Sequence, residues 1–377
     1  MTARAQRAGL GELARLFLRL GTVGFGGPAA HIAMMEDEVV RRRRWLSREE
    51  FVDLVGATNL IPGPNSTEMA IHIGRARAGW LGLLVAGTCF ILPATVIVGA
   101  CGWAYVRFGT LPAVGGLLYG IKPAVIAVVL QALWGLGRSA VRSWRLALLG
   151  VAAAAATVAG VNELAVLAIA AALGLAWGGS RRSMAIGGGL ATMMGSSAAA
   201  GTPFGLWPLF GVFIKVGAVL FGSGYVLLAF LRADLVQRLH WLTERQLLDA
   251  VAVGQVTPGP VFTTATFVGF VLGGVPGASV ATIGIFLPAF VYVAFSGVLL
   301  PRLQRSSAAR GALDAVNVAS LSLMAVVTWQ LGRAALVDGW TVALAVASAI
   351  LLLRYRANSS WLVLGGGAVG LLVTLIG

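Results

Sequence analysis

The chain has 377 residues, of which 58% are hydrophobic and only 11% are charged, whereas a soluble domain carries about 25% charged residues. Apolar stretches of the roughly 20 residues that a helix needs to cross a bilayer recur along the chain, without the alternation of membrane strands. These features exclude a soluble protein and predict an all-α polytopic membrane protein. The net charge of +14 does not indicate nucleic-acid binding, because the arginines cluster between apolar segments, where positive-inside topology puts them.

The sequence repeats itself around a Pro-Gly-Pro motif. Gly21–Pro28 matches Gly217–Gly224 at an offset of 196, and the same offset pairs Pro62–Pro64 with Pro258–Pro260. After one deletion the offset becomes 195 and pairs Pro93 with Pro288. A register kept over such a distance predicts two homologous halves. We place them at 10–180 and 205–377, joined by a linker at 181–204.

Both halves are expected to contain the same elements in the same order. A Gly-rich helix comes first (10–33 and 205–230), and a charged loop follows. A short segment broken at Pro-Gly-Pro comes next (48–75 and 244–272). Four apolar helices complete each half, at 79–104, 113–137, 144–160 and 162–178 in the first and at 277–300, 311–332, 339–353 and 359–376 in the second.

The Pro-Gly-Pro segment determines the predicted topology. It has fewer than 30 residues, and two spans need about 40, so it is interpreted as a re-entrant helical hairpin. Proline ends the first half-helix and glycine supplies the bend. Each half then has five spans plus one hairpin. Because the number of spans is odd, the second half begins on the opposite side of the membrane, and the repeats are inverted. The positive-inside rule then puts 17 arginines in the cytoplasm and 7 outside, although basic Arg4 and Arg7 fall outside.

Inverted repeats with broken helices are the architecture of secondary transporters. The first N–H groups of a helix lack partners and carry partial positive charge, so two opposed hairpin tips would suit a dianion. Helix capping and close helix packing are the alternative roles of the same residues. The candidate binding residues are Asn59, Pro62, Gly63, Pro64, Asn65, Ser66 and Thr67 at the first tip, Gln255, Pro258, Gly259, Pro260, Thr263 and Thr264 at the second, and Gly26, Gly27, Gly222 and Ser223 in the Gly-rich stretches.

Four ionisable residues in apolar surroundings are further candidates. Glu68 either completes a capping box from Asn65 or couples transport to protons, because a carboxylate at membrane depth is costly without a purpose. His31 is a second candidate for proton coupling, with a structural role as the alternative. Lys122 and Lys215, the two lysines of the chain, either contribute charge to the anion path or snorkel to the interface. No ligand cluster with metal spacing is present in the sequence, so no metal or other cofactor is expected.

The motifs resemble those of the chromate ion transporter family, in its long form with two fused homologous halves. The resemblance rests on Phe25–Pro28, Trp45-Leu46, Pro62–Pro64 with Asn65 and Thr67, and Pro258–Pro260, and it covers almost the whole chain. It implies efflux of chromate, a mimic of sulfate, across the bacterial inner membrane by proton-driven antiport. The second half departs from the pattern, because Ser223 and Gly224 replace Gly-Pro and Thr264 stands where the first half has Glu68.

Three other functions remain open at this point. The protein could export sulfate or another oxyanion, conduct anions passively, or act as a membrane enzyme on a polyprenyl phosphate. The enzyme would need an acidic or metal-binding cluster at membrane depth, for which only Glu68 stands out. The expected partners are an oxyanion, protons and the lipid bilayer, with no nucleic acid, and a homodimer is left open.

Overall fold

The computed structural model describes residues 9–25, 27–178, 203–221, 224–355 and 357–376. These residues form helices and contain no strand, which confirms the all-α prediction. The helices of the first repeat are α1 (Leu10–Val23), α2 (Gly27–Glu36, continued by a π-helix, Asp37–Arg42), α3 (Arg48–Thr58), α4 (Asn65–Phe108), α5 (Pro112–Ala140), α6 (Trp144–Val158) and α7 (Glu163–Gly178).

The second repeat contains the same series. Its helices are α8 (Leu206–Val219), α9 (Leu227–Leu231, between a 3-10 helix, Gly224–Val226, and a π-helix, Arg232–Arg238), α10 (Glu244–Val256), α11 (Thr264–Arg305, after a 3-10 helix, Val261–Thr263), α12 (Ser307–Ala335), α13 (Gly339–Tyr355) and α14 (Ser359–Ile376). In the described part of the chain, α4, α5, α11 and α12 are long and apolar enough to cross a membrane.

A shared kink shows how closely the two repeats agree. In α4 the backbone leaves the helical region at Ala78 (φ −138°) and Gly79 (φ +62°), and in α11 it does so at Gly273 (φ −146°) and Gly274 (φ +60°). The positive φ requires glycine at the second position of each kink. The kink separates a short first part of each helix, which belongs to the Pro-Gly-Pro hairpin, from a long spanning part.

Each Pro-Gly-Pro hairpin returns to the face from which it enters. The first consists of α3 and the first part of α4, and Nη1 of Arg77 at its end donates to the carbonyl oxygen of Trp45 before its start at 3.1 Å. The second consists of α10 and the first part of α11, and the ring of Phe204 packs against both Trp241 before its start and Gly273 at its end. Both hairpins are therefore re-entrant, as expected.

Gly87 and Phe290, from the spanning parts of α4 and α11, pack beside each other. Gly102, near the end of α4, packs beside Phe270, which lies just before the kink where the spanning part of α11 begins. The end of one spanning part therefore lies near the beginning of the other, so the two run antiparallel. The repeats are therefore inverted. We call the end of the bundle where α1 and α3 begin the first face, and the end where α8 and α10 begin the second face. Gly178 and Leu206 lie on opposite faces, as inverted repeats require. The predicted linker at 181–204 lies almost entirely outside the described residues.

The expected single Gly-rich helix of each half is instead a hairpin of two antiparallel helices. Arg43 pairs with Glu12 at 2.6 Å and Arg19 with Glu38 at 3.4 Å, so α2 returns beside α1. The pair Lys215–Asp234 shows the same return between α8 and the π-helix that follows α9. We call α1 with α2, and α8 with α9, the glycine hairpins.

This arrangement corrects the predicted topology. In the described part of the chain each repeat has two hairpins and four helices that run between the faces, one fewer than expected. The chain turns back because the backbone breaks at Gly24 and takes a positive φ of +80° at Gly27. Leu10 consequently lies on the same face as Arg41–Arg44, whereas the predicted topology had the start of the chain on the other face; Arg4 and Arg7 lie outside the described residues.

Candidate anion-binding site

The two Pro-Gly-Pro tips meet the breaks of the glycine hairpins at the centre of the molecule. The N–H of Gly63 donates to the carbonyl oxygen of Leu220 at 2.8 Å, and the N–H of Gly259 donates to that of Gly24 at 2.7 Å. The two donors occupy equivalent positions in the repeats, as do the two acceptors. Each tip is therefore held by the opposite repeat.

Glycine is required at the centre of both tips. Gly63 has a φ of +137° and Gly259 a φ of +92°, a region that L side chains rarely adopt. A Cβ atom on Gly259 would also lie 2.5 Å from the Cβ of Ala94. The flanking prolines have no N–H of their own and end the first helix of each hairpin. Local sequence thus explains why the chain turns here.

A small central cavity of about 10 Å³ lies between the tips. Its lining is formed by four pairs of equivalent residues, so the cavity lies on the pseudo-two-fold axis. The pairs are Pro28 and Gly224, Pro64 and Pro260, Asn65 and Val261, and Ser66 and Phe262.

Four helical segments begin at this central cavity, with Gly27, Asn65, Gly224 and Val261 as their first residues. Each start carries N–H groups without partners within its helix and the positive end of the helix dipole. In α4 the carbonyl of Pro64 accepts the N–H groups of Thr67 and Glu68 at 2.8 and 3.0 Å. The N–H groups of Asn65 and Ser66 face the cavity end of this helix and are suited to bind an anion.

The polar side chains predicted at the tips have different surroundings. The Asn65 amide donates to the side-chain oxygen of Asn59 at 2.8 Å, and Ser66 and Thr67 are buried. The hydroxyls of Thr263 and Thr264 bond to nearby carbonyls at 2.7 and 2.8 Å. The buried amide nitrogen of Gln255 has no hydrogen-bond partner among the described residues. Gly26, Gly222 and Ser223 lie outside the described residues, and Pro62 and Pro258 complete the turns.

Glu68 does not form the capping box that the sequence suggested. Pro64 occupies the N-cap position of α4, and the Asn65 side chain points to Asn59 instead of capping the helix. The Glu68 side chain is fully buried, and its two carboxyl oxygens have no hydrogen-bond partner within the described part of the chain. One of these oxygens lies against Gly63 of the first tip. The proton-coupling role of Glu68 stays a prediction.

His31 lies beside the break in the first glycine hairpin. Its Nε2 is 2.9 Å from the carbonyl oxygen of Gly24 and donates to it, because a carbonyl can only accept. The ring packs edge-on against Phe90 with 5.5 Å between centroids. Gly24 thus accepts from both His31 and Gly259, which gives the histidine a structural function. Its part in proton coupling stays a prediction.

Both lysines are paired with carboxylates and do not line the central cavity. The Nζ of Lys122 lies 2.8 Å from Oδ1 of Asp249, and the hydroxyl of Tyr105 donates to Oδ2 of the same residue at 2.8 Å. Lys215 pairs with Asp234. Sequence reasoning missed both aspartates as partners. The alignment of Asp249 with Asp53 across the repeats was the available signal.

A larger cavity, which we call the vestibule, opens on the first face with a volume of about 420 Å³. Asn65 lines both the vestibule and the central cavity, so the two are neighbours. Sequence reasoning used the arginines of this face only as a topological signal, but two of them line the vestibule. Its residues are Asn59, Leu60, Ile61, Asn65, Leu136, Ser139, Ala140, Arg142, Val226, Arg310, Leu313, Asp314, Asn317 and Leu321.

The fold and the site define a polytopic membrane protein with inverted repeats and helices broken at the centre, an architecture that is found in secondary transporters. The chain belongs to the chromate transporter family, whose model matches it twice, at residues 11–175 and 207–371. These ranges place one copy of the family sequence in each repeat.

Curated relatives cover most of the chain. A chromate transport protein of Cupriavidus metallidurans is 33% identical over 96% of this chain and 92% of its own length. A probable chromate transport protein of Synechococcus elongatus is 33% identical over 87% of this chain and 86% of its own. An uncharacterized transporter of Methanocaldococcus jannaschii is 26% identical over 92% of this chain and 90% of its own. No solved structure matches the chain.

Proposed function

We propose that this protein exports chromate, or a sulfate-like dianion of the same shape, from the bacterial cytoplasm across the inner membrane in exchange for protons. Two relatives named for chromate transport support the substrate. The arginine-rich first face is the cytoplasmic one by the positive-inside rule. Transport therefore proceeds from the vestibule to the second face.

The observation that carries this proposal is the convergence of four helix starts on the central cavity. The N–H groups of Asn65 and Ser66 and their counterparts in the second repeat offer fixed donors from two opposed directions. A tetrahedral dianion presents acceptor oxygens in several directions, and charge-assisted hydrogen bonds to it are strong at low dielectric. At about 10 Å³ the cavity has room for about one water molecule, so the tips must separate to admit the anion.

The vestibule supplies the route of entry. Two arginines, Arg142 and Arg310, and one carboxylate, that of Asp314, line it, and a net positive charge around a concave site raises the local concentration of anions. Asn65 connects the vestibule to the central cavity. An oxyanion entering from the first face therefore meets cationic side chains first and backbone donors second.

Glu68 is proposed to carry the coupled proton. Its carboxyl group is buried against the first tip without a cationic partner among the described residues, and burial favours the neutral form of such a group. Separation of the tips would hydrate the carboxyl group and allow it to exchange its proton. The second repeat has Thr264 at this position, so the coupling belongs to one half.

Uptake of labelled chromate into everted membrane vesicles tests the proposed function. A proton gradient is expected to drive accumulation. Asn65→Pro is expected to reduce its rate by at least about tenfold, because proline is tolerated at the first position of a helix but lacks the backbone donor, and a hydrogen bond to a charged group contributes about 1.5–3 kcal/mol. Ser279→Ala, at an exposed position on α11, serves as the control and should transport normally. Absence of accumulation with the unaltered protein would overturn the proposal, and stronger competition by sulfate than by unlabelled chromate would reassign the substrate.

The coupling role of Glu68 has its own test. Glu68→Gln is expected to abolish proton-driven accumulation while preserving exchange of labelled for unlabelled chromate, because exchange requires no proton transfer. Thr264→Val, the equivalent position in the second repeat, should keep both activities. Normal proton-driven accumulation by Glu68→Gln would assign the coupling to another group.

A further inference from the structure

The two Pro-Gly-Pro hairpins are equivalent in sequence, but they are packed differently. Helix α3 lies beside the open vestibule, and its Asp53 is exposed. Helix α10 packs against α5, α12 and α14, and its Asp249 has no exposed surface. The molecule therefore departs from two-fold symmetry at these equivalent carboxylates.

The helices that face the two hairpins show the same contrast. Leu136 and Leu321 line the vestibule and are half-buried. Their equivalents in the other repeat, Leu331 and Ile126, are only 1% and 5% exposed. The counterpart of the vestibule on the second face is thus closed, and the structure has its path open to the first face.

Contacts between the two repeats hold the second face closed. Lys122 from α5 and Tyr105 from α4 both bind Asp249 of α10 at 2.8 Å. The position equivalent to Lys122 is Asn317, which lines the open vestibule. If α10 moved away from α5 as α3 stands away from α12, Lys122 would line the corresponding cavity on the second face.

We propose that Lys122, Tyr105 and Asp249 form the gate on the second face, and that Lys122 exchanges Asp249 for the oxyanion when this gate opens. A buried ammonium group that loses its partner is strongly destabilised, and a passing dianion would replace the lost charge. The identity of the anion rests on the proposed function, whereas the gate rests on the packing alone.

Equivalent cysteines in the two half-paths test the gate without a transport assay. Ala140 lines the open vestibule, and its counterpart Ala335 is only 4% exposed. With Cys89 and Cys101 replaced by alanine, Ala140→Cys should react with a membrane-impermeant thiol reagent from the first face, and Ala335→Cys should react slowly from the second. Adding Asp249→Asn is expected to speed the reaction at position 335 by at least about tenfold and to slow it at position 140. The reason is that the equilibrium shifts from the state open to the first face toward the state open to the second face.

Asp53→Asn, the exposed equivalent of Asp249, is the matched control and should change neither labelling rate. The charge exchange Lys122→Asp with Asp249→Lys should restore slow labelling at position 335, which distinguishes a gate from general loss of folding. Added chromate is expected to change the labelling rate at position 335 when Lys122 is present, and to leave this rate unchanged in the variant Lys122→Gln. Unchanged labelling in Asp249→Asn would overturn the gate. If labelling shows the gate but the unaltered protein does not transport chromate, the gate stands and the proposed function is wrong.

Discussion

Two backbone N–H groups, those of Gly63 and Gly259, hold the centre of this protein together. Gly259→Ala is expected to reduce chromate transport by at least about tenfold, because the positive φ costs about 1–3 kcal/mol and the added methyl group would collide with Ala94. Transport in everted vesicles at matched protein levels measures the effect. Gly99→Ala, which meets open space in α4, should transport normally, and equal loss in both variants would contradict the explanation.

Asp338 gives a pH-dependent contribution to stability outside the spanning helices. Hydrogen bonds from the Tyr119 hydroxyl and the Thr341 backbone N–H lower the pKa of its carboxyl group below the usual value of 3.8. Because the pKa is lower in the folded state, the carboxyl group stabilises the fold fully at a pH above its pKa in the unfolded chain. This contribution is lost as the pH falls through the pKa of the folded state.

The unfolding temperature in detergent should therefore be lower for Tyr119→Phe than for the unaltered protein at pH 7. This difference should shrink as the pH falls below about 4, the ordinary range of an aspartate. Tyr355→Phe, at an exposed tyrosine of α13, should match the unaltered protein throughout. A difference for Tyr119→Phe that is independent of pH would show that Asp338 is not responsible.

Residue-level prediction from the sequence succeeded where the chemistry is local and failed where it crosses the repeats. The Pro-Gly-Pro turns follow from proline and glycine alone, and the structure has them at the predicted positions. The partner of Lys122 lies in the other repeat, and no local pattern indicates it. The capping box at Glu68 was wrong because Pro64 already occupies the N-cap position.

At the level of whole elements, the glycine hairpins were the main surprise. A stretch such as Gly24–Pro28 permits close helix packing and a reversal of the chain equally well, and apolar periodicity does not distinguish them. The pairing of Arg19 with Glu38, and its repetition by Lys215 with Asp234, reveals the reversal only once the structure is known. The short Pro-Gly-Pro segments were predictable because their length excludes two spans.

Close backbone contact between α5 and α14 leads to a prediction about helix packing. A Cβ atom on Gly120 would collide with the carbonyl oxygen of Gly366, so Gly120→Val must push the helices apart. We expect it to lower the free energy of unfolding by about 1–3 kcal/mol, the usual cost of overpacking. Thermal unfolding in detergent measures this. Gly115→Val on the same helix meets no atom within 4 Å, and destabilisation by both variants would indicate a helix-propensity effect.

For the whole molecule, the inverted arrangement predicts which residues are accessible from each side. Cysteines at Arg48 and Ala76, the two ends of the first Pro-Gly-Pro hairpin, should react only with reagent on the cytoplasmic side. Cysteines at Arg245 and Val275 should react only from outside, because the second hairpin enters from the other face. Labelling of whole cells and everted vesicles compares the two sides, and opposite-side labelling of Arg48 and Ala76 would show a spanning segment instead.

The crossed hydrogen bonds from Gly63 to Leu220 and from Gly259 to Gly24 make each half dependent on the other. Each half accepts a hydrogen bond from the tip of the other, so the two tips are stabilised together. Joining the halves in a single chain fixes their ratio at one to one, so equivalent positions can carry different side chains. The carboxyl group at Glu68 and the hydroxyl group at the equivalent Thr264 are such a difference.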